Sequence, residues 1–498
     1  MAAWDELLPK LQELADLQSA IALLHWDMAV NMPPGGAASR SRALATVETR
    51  VHEAFTSPDI GRLIEQLQSE GGLDEVQAAS VRVVGHDYFR ATKIPPDLVH
   101  ELARVGGAAY QAWTEARPAS DFGVFQPHLA KLVQLKKEQA DALGWEGHRY
   151  DALLDDYEPG TTTADLRALF DGLAEELRPL AAAILESAGG RPAFLSDVYD
   201  ADVQKRCSLW LTEALGFDLE RGRLDTSPHP FTMAVGPGDV RQTTGIYEHD
   251  FAFSIYATIH ETGHALYDQG IPEAFAALPQ WKVPSAGMHE SQSRLWENLV
   301  GRSRPFTDWL LPHLKDYFPA QLGTLDPVEF YRGINHPERT TIRVSADEVT
   351  YNLHVILRFE LEQALLGGDL DVADLPDAWD DGMERHLGIR PADAGDGVLQ
   401  DMHWSSGMFG YFPSYTIGNL YAAAYFSKAR AALGDLDDEI RNGDFTRLLA
   451  WLREQVHSQG YLHTAKELGE RVLAEPLTHA PFIDYIRTKY SELYDINA

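Results

Sequence analysis

Two histidines four residues apart, with a glutamate directly after the first, are the residues best spaced for chemistry: Ile259-His260-Glu261-Thr262-Gly263-His264. At about 3.6 residues per helical turn, His260 and His264 share one face and can bind a single metal ion. Glu261 projects roughly 100° around the helix, where it can hold a water against that ion without ligating it. This is a geometry of zinc-dependent peptide hydrolysis. The bland alternative is an amphipathic core helix with hydrogen-bonded histidines, and a third ligand decides between the two.

Zinc in a hydrolase takes three protein ligands and keeps a fourth position for water. The candidate is Glu290, in Gly287-Met288-His289-Glu290-Ser291-Gln292. It is expected in the first turn of a second helix that continues through Leu295, Trp296, Leu299 and Val300. A His-His-Glu set leaves the ion one net positive charge, enough to acidify water towards a pKa of about 7. His289 is a rival ligand, and an ordinary first-turn glutamate interacting with the helix dipole is the alternative for Glu290. No third histidine follows in the H-E-x-x-H-x-x-G-x-x-H pattern, which disfavours metzincins. In the expected mechanism Glu261 takes a proton from the zinc-bound water, the hydroxide attacks the polarised carbonyl, and Glu261 passes the proton to the leaving amine. A further donor for the tetrahedral intermediate is expected from His, Tyr or Arg in the C-terminal part.

These residues need rigid elements. Residues 251–268 predict the helix that bears the motif, with Phe251, Ile255, Ile259 and Leu266 apolar and a stop at Gly270-Ile271-Pro272. Helical stripes run through Trp4, Leu7, Leu8, Leu11, Leu14 and Leu17, through Leu98, Leu102, Val105 and Tyr110, and through Leu166, Leu169, Leu173 and Leu177. Turns fall at Pro33-Pro34-Gly35-Gly36 and Gly189-Gly190-Arg191-Pro192. The stretch 229–244 reads instead as a small hairpin or irregular sheet, whose edge could pair with an extended peptide. Ile342-Arg343-Val344-Ser345-Ala346-Asp347 reads as the start of a long helix through Tyr351, Leu353, Leu357, Leu361 and Leu365, with an Arg343–Asp347 salt bridge as the bland account. Residues 397–415, with glycines among His403, Trp404, Tyr411 and Tyr415, suggest a tight wall.

The 498 residues, 45% hydrophobic, suffice for a large core. No linker is evident, so one compact, multi-lobed unit is expected. A formal charge of -33 argues against a nucleic-acid partner. The single cysteine, Cys207, rules out an internal disulfide framework, fits a reducing compartment and reads as a buried small hydrophobe. Without a basic, apolar N-terminal start or a membrane-length apolar run, the sequence reads as soluble and cytoplasmic.

Together these strings resemble the carboxypeptidase Taq family of zinc metallocarboxypeptidases. The resemblance rests on His229-Pro230-Phe231, residues 239–243, His260-Glu261-Thr262-Gly263-His264, His289-Glu290-Ser291-Gln292, residues 342–347 and residues 397–404, in that order. It implies a mainly α, saddle-like subunit with two lobes and a deep central groove, as one catalytic domain over 1–498 with a helical lobe at about 1–195 and a metal-site lobe at about 196–498. It implies a homodimer that releases single C-terminal residues with broad preference and poor cleavage beside proline, using zinc, with cobalt able to substitute. His260, His264 and Glu290 would be ligands and Glu261 the base. Arg343 would bind the terminal carboxylate, and His403 would contact that carboxylate or the substrate backbone. Tyr415 would be the oxyanion donor with Tyr411 as rival, and Arg241 would support the substrate strand. The competing readings are an internally cleaving zinc oligopeptidase on a related helical scaffold and a non-catalytic peptide-binding protein.

Overall fold

The computed structural model describes residues 2–496 and is mainly α-helical with one small sheet. The N-terminal stripe forms helix α1 (Ala2–Val30), whose Leu7, Leu11 and Leu14 bury against Ile60, Leu63, Ile64, Val81 and Val84 in a small core of their own. Val81 and Val84 belong to α2 (Glu75–Lys93), which starts on an Asp74 capping box. A second, far larger core runs from Val105 to Leu493, and so draws on residues either side of position 195. Helix α3 (Thr163–Ser187) enters it through Leu166, Leu173 and Leu177 after a Thr162 cap, as the stripe predicts.

The sheet has three strands in the order β1-β3-β2. The expected hairpin is present as β2 (Thr232–Gly236) antiparallel to β3 (Asp239–Thr244). The unforeseen strand is β1 (Gly222–Thr226), parallel to β3. It has no alternating apolar pattern, and only pairing holds it extended.

Helix α4 (Phe251–Gly270) bears the motif, begins on the Asp250 side chain, and ends at the Gly270-Ile271-Pro272 stop. It packs on α5 (Ala286–Arg294) so closely that a side chain at Gly263 would meet the Ser293 Cα at 2.6 Å. Glu290 lies in the second turn of α5, not the first, because Ser285 starts the helix upstream. Past Arg294 the chain widens to a π-helical turn, Leu295–Val300, rather than continuing as α-helix. The expected helix from Ile342 also starts later. Arg343–Ser345 is a short 3-10 turn, and α6 runs Tyr351–Gly367. Asp347 accepts from the backbone N–H of Glu338, Val349 and Thr350, so no Arg343–Asp347 salt bridge forms. Residues 397–412 form an irregular wall with one 3-10 turn at Trp404–Ser406, then α7 (Pro413–Leu433) begins. Gly418 of α7 faces the Glu290 side chain at 2.5 Å from where a Cβ would stand, so only glycine lets α7 pack on α5 there. The final helix, α8 (Ala480–Tyr494), closes the large core through Ile483 and Ile486.

Candidate active site

One helical turn separates His260 and His264 on α4, and their rings stand edge to face with centroids 5.0 Å apart. The α4–α5 contact brings Glu290 to them. Glu290 Oε2 lies 3.6 Å from His260 Nε2 and 3.3 Å from His264 Nε2. Metal–ligand bonds of about 2.0–2.1 Å in a tetrahedron place donors about 3.4 Å apart, so the three atoms fit one divalent ion. Among the described residues this is the single cluster of histidine and acidic side chains that could hold one. His289 is not in it: its Nε2 lies 3.1 Å from Asp268 Oδ1, and its ring stacks on His264 at 4.2 Å.

Two of the three side chains carry the protonation a ligand needs, whereas at His260 burial is outweighed by the Glu290 and Glu297 carboxylates, which raise the ring. Burial pushes His264 down to about 3, leaving the ring neutral and its nitrogen free to donate a lone pair. Burial works against ionised Glu290, but Arg294 and His260 outweigh it and hold the carboxyl well below the usual range. Arg294 Nε donates to Glu290 Oε1 at 2.7 Å, and its Nη1 to Glu297 Oε2 at 3.1 Å. Glu297 lies 2.8 Å from His260 Nδ1 and so fixes the tautomer that turns Nε2 to the metal position. Burial raises Glu261, against the pull of His260 and of the Thr232 hydroxyl. That hydroxyl donates from β2 to Glu261 Oε2 at 2.7 Å.

A second polar group is assembled from the wall at 397–412 and from α6. Arg343 is only 4% exposed; its Nη2 donates to Asp401 Oδ1 at 2.7 Å and its Nη1 to the Tyr351 hydroxyl at 2.9 Å. Arg358, fully buried on α6, donates to Asp401 Oδ2 at 2.6 Å. Burial opposes a charge on Asp401, yet the two guanidiniums hold it far below the ordinary range. His403 Nε2 lies 3.2 Å from the Tyr415 hydroxyl, and burial lowers His403 to about 3. Tyr411 stands edge-on to Tyr415 at 5.2 Å; burial lifts it to about 12 and Tyr415 well above 10, so both keep their protons. Arg343 lies over the Tyr415 ring at 4.9 Å, which joins this group into one cluster. Arg241 stands apart: both its donating nitrogens serve Asp239 at 2.8 Å, and its guanidinium lies over Trp26.

Several partners were not singled out from sequence. Arg294 follows Glu290 by four residues and was open to helical-spacing logic. Thr232, Asp401, Arg358 and Tyr351 reach their partners only through tertiary folding.

Fold and cluster define the class: a mainly α-helical metallopeptidase. A family model described as carboxypeptidase Taq (M32) metallopeptidase matches residues 6–490. Over 507 residues the chain is 43% identical to thermostable carboxypeptidase 1 of Thermus thermophilus, covering 99% of each. It is 36% identical to carboxypeptidase 1 of Bacillus subtilis over 492 residues, 98% of each. It matches the crystal structure of the M32 carboxypeptidase from Deinococcus radiodurans R1 with a TM-score of 0.97 and 41% identity over 100% of both chains. The chain belongs to the carboxypeptidase Taq (M32) metallopeptidase family and is a metallocarboxypeptidase acting on peptides. Among the described residues, no helix is long and apolar enough to cross a membrane.

Proposed function

We propose that the protein is a zinc exopeptidase that removes single residues from peptide C-termini, with broad preference and poor cleavage beside proline. The observation behind the exopeptidase reading is a charge that does not close. Arg343 and Arg358 share the one carboxylate of Asp401, leaving one buried positive charge. His403 and His354 are held neutral by burial, and Glu362 is turned to Tyr150, Trp404 and Gly410 instead. A buried unpaired charge is costly, and the terminal carboxylate of a substrate supplies the missing partner.

His260, His264 and Glu290 would hold the ion, with zinc favoured by the N/N/O donor set and cobalt able to substitute. When bound, such an ion supplies Lewis acidity to the scissile carbonyl and to the attacking water. Glu261, aimed by Thr232, receives the proton of that water and returns it to the leaving amine nitrogen. Tyr415 donates a hydrogen bond from its hydroxyl to the developing oxyanion, with Tyr411 as the alternative donor. Arg343 takes the terminal carboxylate and His403 contacts it or the adjacent backbone. The substrate strand runs along the edge strand β2, braced from β3 by Arg241. The catalytic unit is one domain, with lobes at about 1–195 and 196–498 around a groove, working as a homodimer in the cytoplasm.

Mass spectrometry of a peptide mixture tests the reading. Residues leave one at a time from the carboxyl end, and release stops with chelator or C-terminal amidation. Equal turnover of free and amidated peptides would favour an internally cleaving oligopeptidase instead.

A further inference from the structure

Tyr351, the first residue of α6, is 5% exposed and touches both halves of the site. Its hydroxyl accepts from Arg343 Nη1 at 2.9 Å. Its ring lies 4.4 Å from the Arg294 guanidinium, whose nitrogens donate to Glu290 and Glu297. The same ring stands edge-on to Tyr415 at 6.0 Å.

We infer that Tyr351 is a positioning residue that sets the span between the metal site and Arg343, and with it the release of one residue rather than two. The inference rests on Arg343 binding the substrate's terminal carboxylate. One extended residue spans about 3.3–3.6 Å, so the anchor must be fixed to a fraction of that distance. Arg343 sits on a three-residue 3-10 turn, whose geometry does not fix a long side chain. Asp401 grips one side of its guanidinium through Nε and Nη2. The Tyr351 hydroxyl holds the remaining nitrogen. On the metal side the Tyr351 ring backs Arg294 by a cation–π contact between two largely buried side chains, where such contacts are stronger than at the surface. The two contacts are chemically separable: the hydroxyl serves the carboxylate anchor, and the ring serves the arm that holds Glu290.

The test uses Tyr351→Phe, Tyr351→Leu and Arg343→Met in the full chain. It reads KM and kcat on free and amidated peptides, zinc Kd by chelator competition, and product length by mass spectrometry. Tyr351→Phe raises KM for free-carboxylate peptides about tenfold, leaves kcat within about twofold, and leaves zinc Kd unchanged. Tyr351→Leu raises zinc Kd about tenfold as well and releases dipeptides beside single residues. A lowered kcat with unchanged KM in Tyr351→Phe, or a wild-type zinc Kd in Tyr351→Leu, overturns the inference. Arg343→Met separates the two levels. If it raises KM while Tyr351→Phe does not, Tyr351 alone is misassigned. If Arg343→Met leaves KM at the wild-type value, the carboxylate anchor itself is wrong.

Discussion

The metal end and the carboxylate end of the site are built from opposite charge imbalances. Around His260, three carboxylates (Glu261, Glu290, Glu297) meet two guanidiniums (Arg294, Arg302), a balance counted with both histidines neutral, as metal binding would require. Around Asp401, one carboxylate meets two guanidiniums. The first surplus is negative and suits a resident cation; the second is positive and suits an anion that comes and goes. Their supports differ too. The three candidate ligands stand on two closely packed helices, α4 and α5, which meet at Gly263 with no room for a side chain. The carboxylate end gathers a 3-10 turn, an irregular wall and the starts of α6 and α7. A permanent ion tolerates and rewards rigidity, whereas a transient anion needs groups that can admit it.

If that contrast is right, removing chemistry from the metal end should abolish turnover without touching substrate affinity. Glu261→Gln keeps the side-chain volume and the Thr232 contact but cannot accept the water's proton. The expected loss in kcat is about a thousandfold or more, with zinc content unchanged by elemental analysis. Retained turnover would mean that another group takes the proton. At the other end, Arg343→Met should cost about a hundredfold in kcat/KM on free peptides, mostly in KM. Amidated peptides, already poor, should change little. A comparable loss on both substrates would show that Arg343 serves structure rather than the carboxylate.

The same contrast governs how much could be read from sequence. His260 and His264 follow one helical period with Glu261 beside the first, and the helix that bears them ends at the expected Gly270-Ile271-Pro272 stop. Glu290 was legible as a candidate ligand through its string, though its place in α5 is the second turn rather than the first because Ser285 caps earlier. The carboxylate end was legible only in part. Arg343 could be named, but the helix expected around it is a turn, and its partner is Asp401 rather than Asp347. No local period links positions 343, 358 and 401, so only the packed fold reveals the shared carboxylate. Strand β1 was missed for a related reason: it is extended because β3 pairs with it, not because of its own residues.

A smaller effect should come from the layer behind the ligands. Glu297→Gln leaves His260 in place but removes the carboxylate that fixes its tautomer at 2.8 Å and that anchors Arg294. Zinc affinity should fall about ten- to a hundredfold by chelator competition, with kcat near normal once zinc is saturating. Unchanged affinity would mean that α4 alone orients the ring and that the negative surplus is incidental.

The least effect on activity, and the finest test of how the two ends are braced, concerns two buried carboxyls. Glu158 accepts from the Gly287 N–H of α5 and the Ser414 hydroxyl of α7, and Glu362 accepts from Tyr150, Trp404 and the Gly410 N–H behind the wall. Burial pushes each up to about 7 despite these donors. A carboxyl raised in the folded state holds its proton more tightly there than when unfolded. The associated stability is therefore complete below about pH 4.5 and is lost as pH rises through about 7. Glu362→Gln carries no proton to lose. Between about pH 5 and 7 the wild type should lose about 2 kcal/mol that this variant keeps, read as a flatter pH dependence of denaturant unfolding. Its kcat at about pH 6 should match the wild type, because Glu362 touches neither the ligands nor Arg343. A wild-type slope in the variant would show that the three donors stabilise the ionised form more than burial opposes it. The carboxylate end would then be braced by a permanent charge, as the metal end is by Glu297.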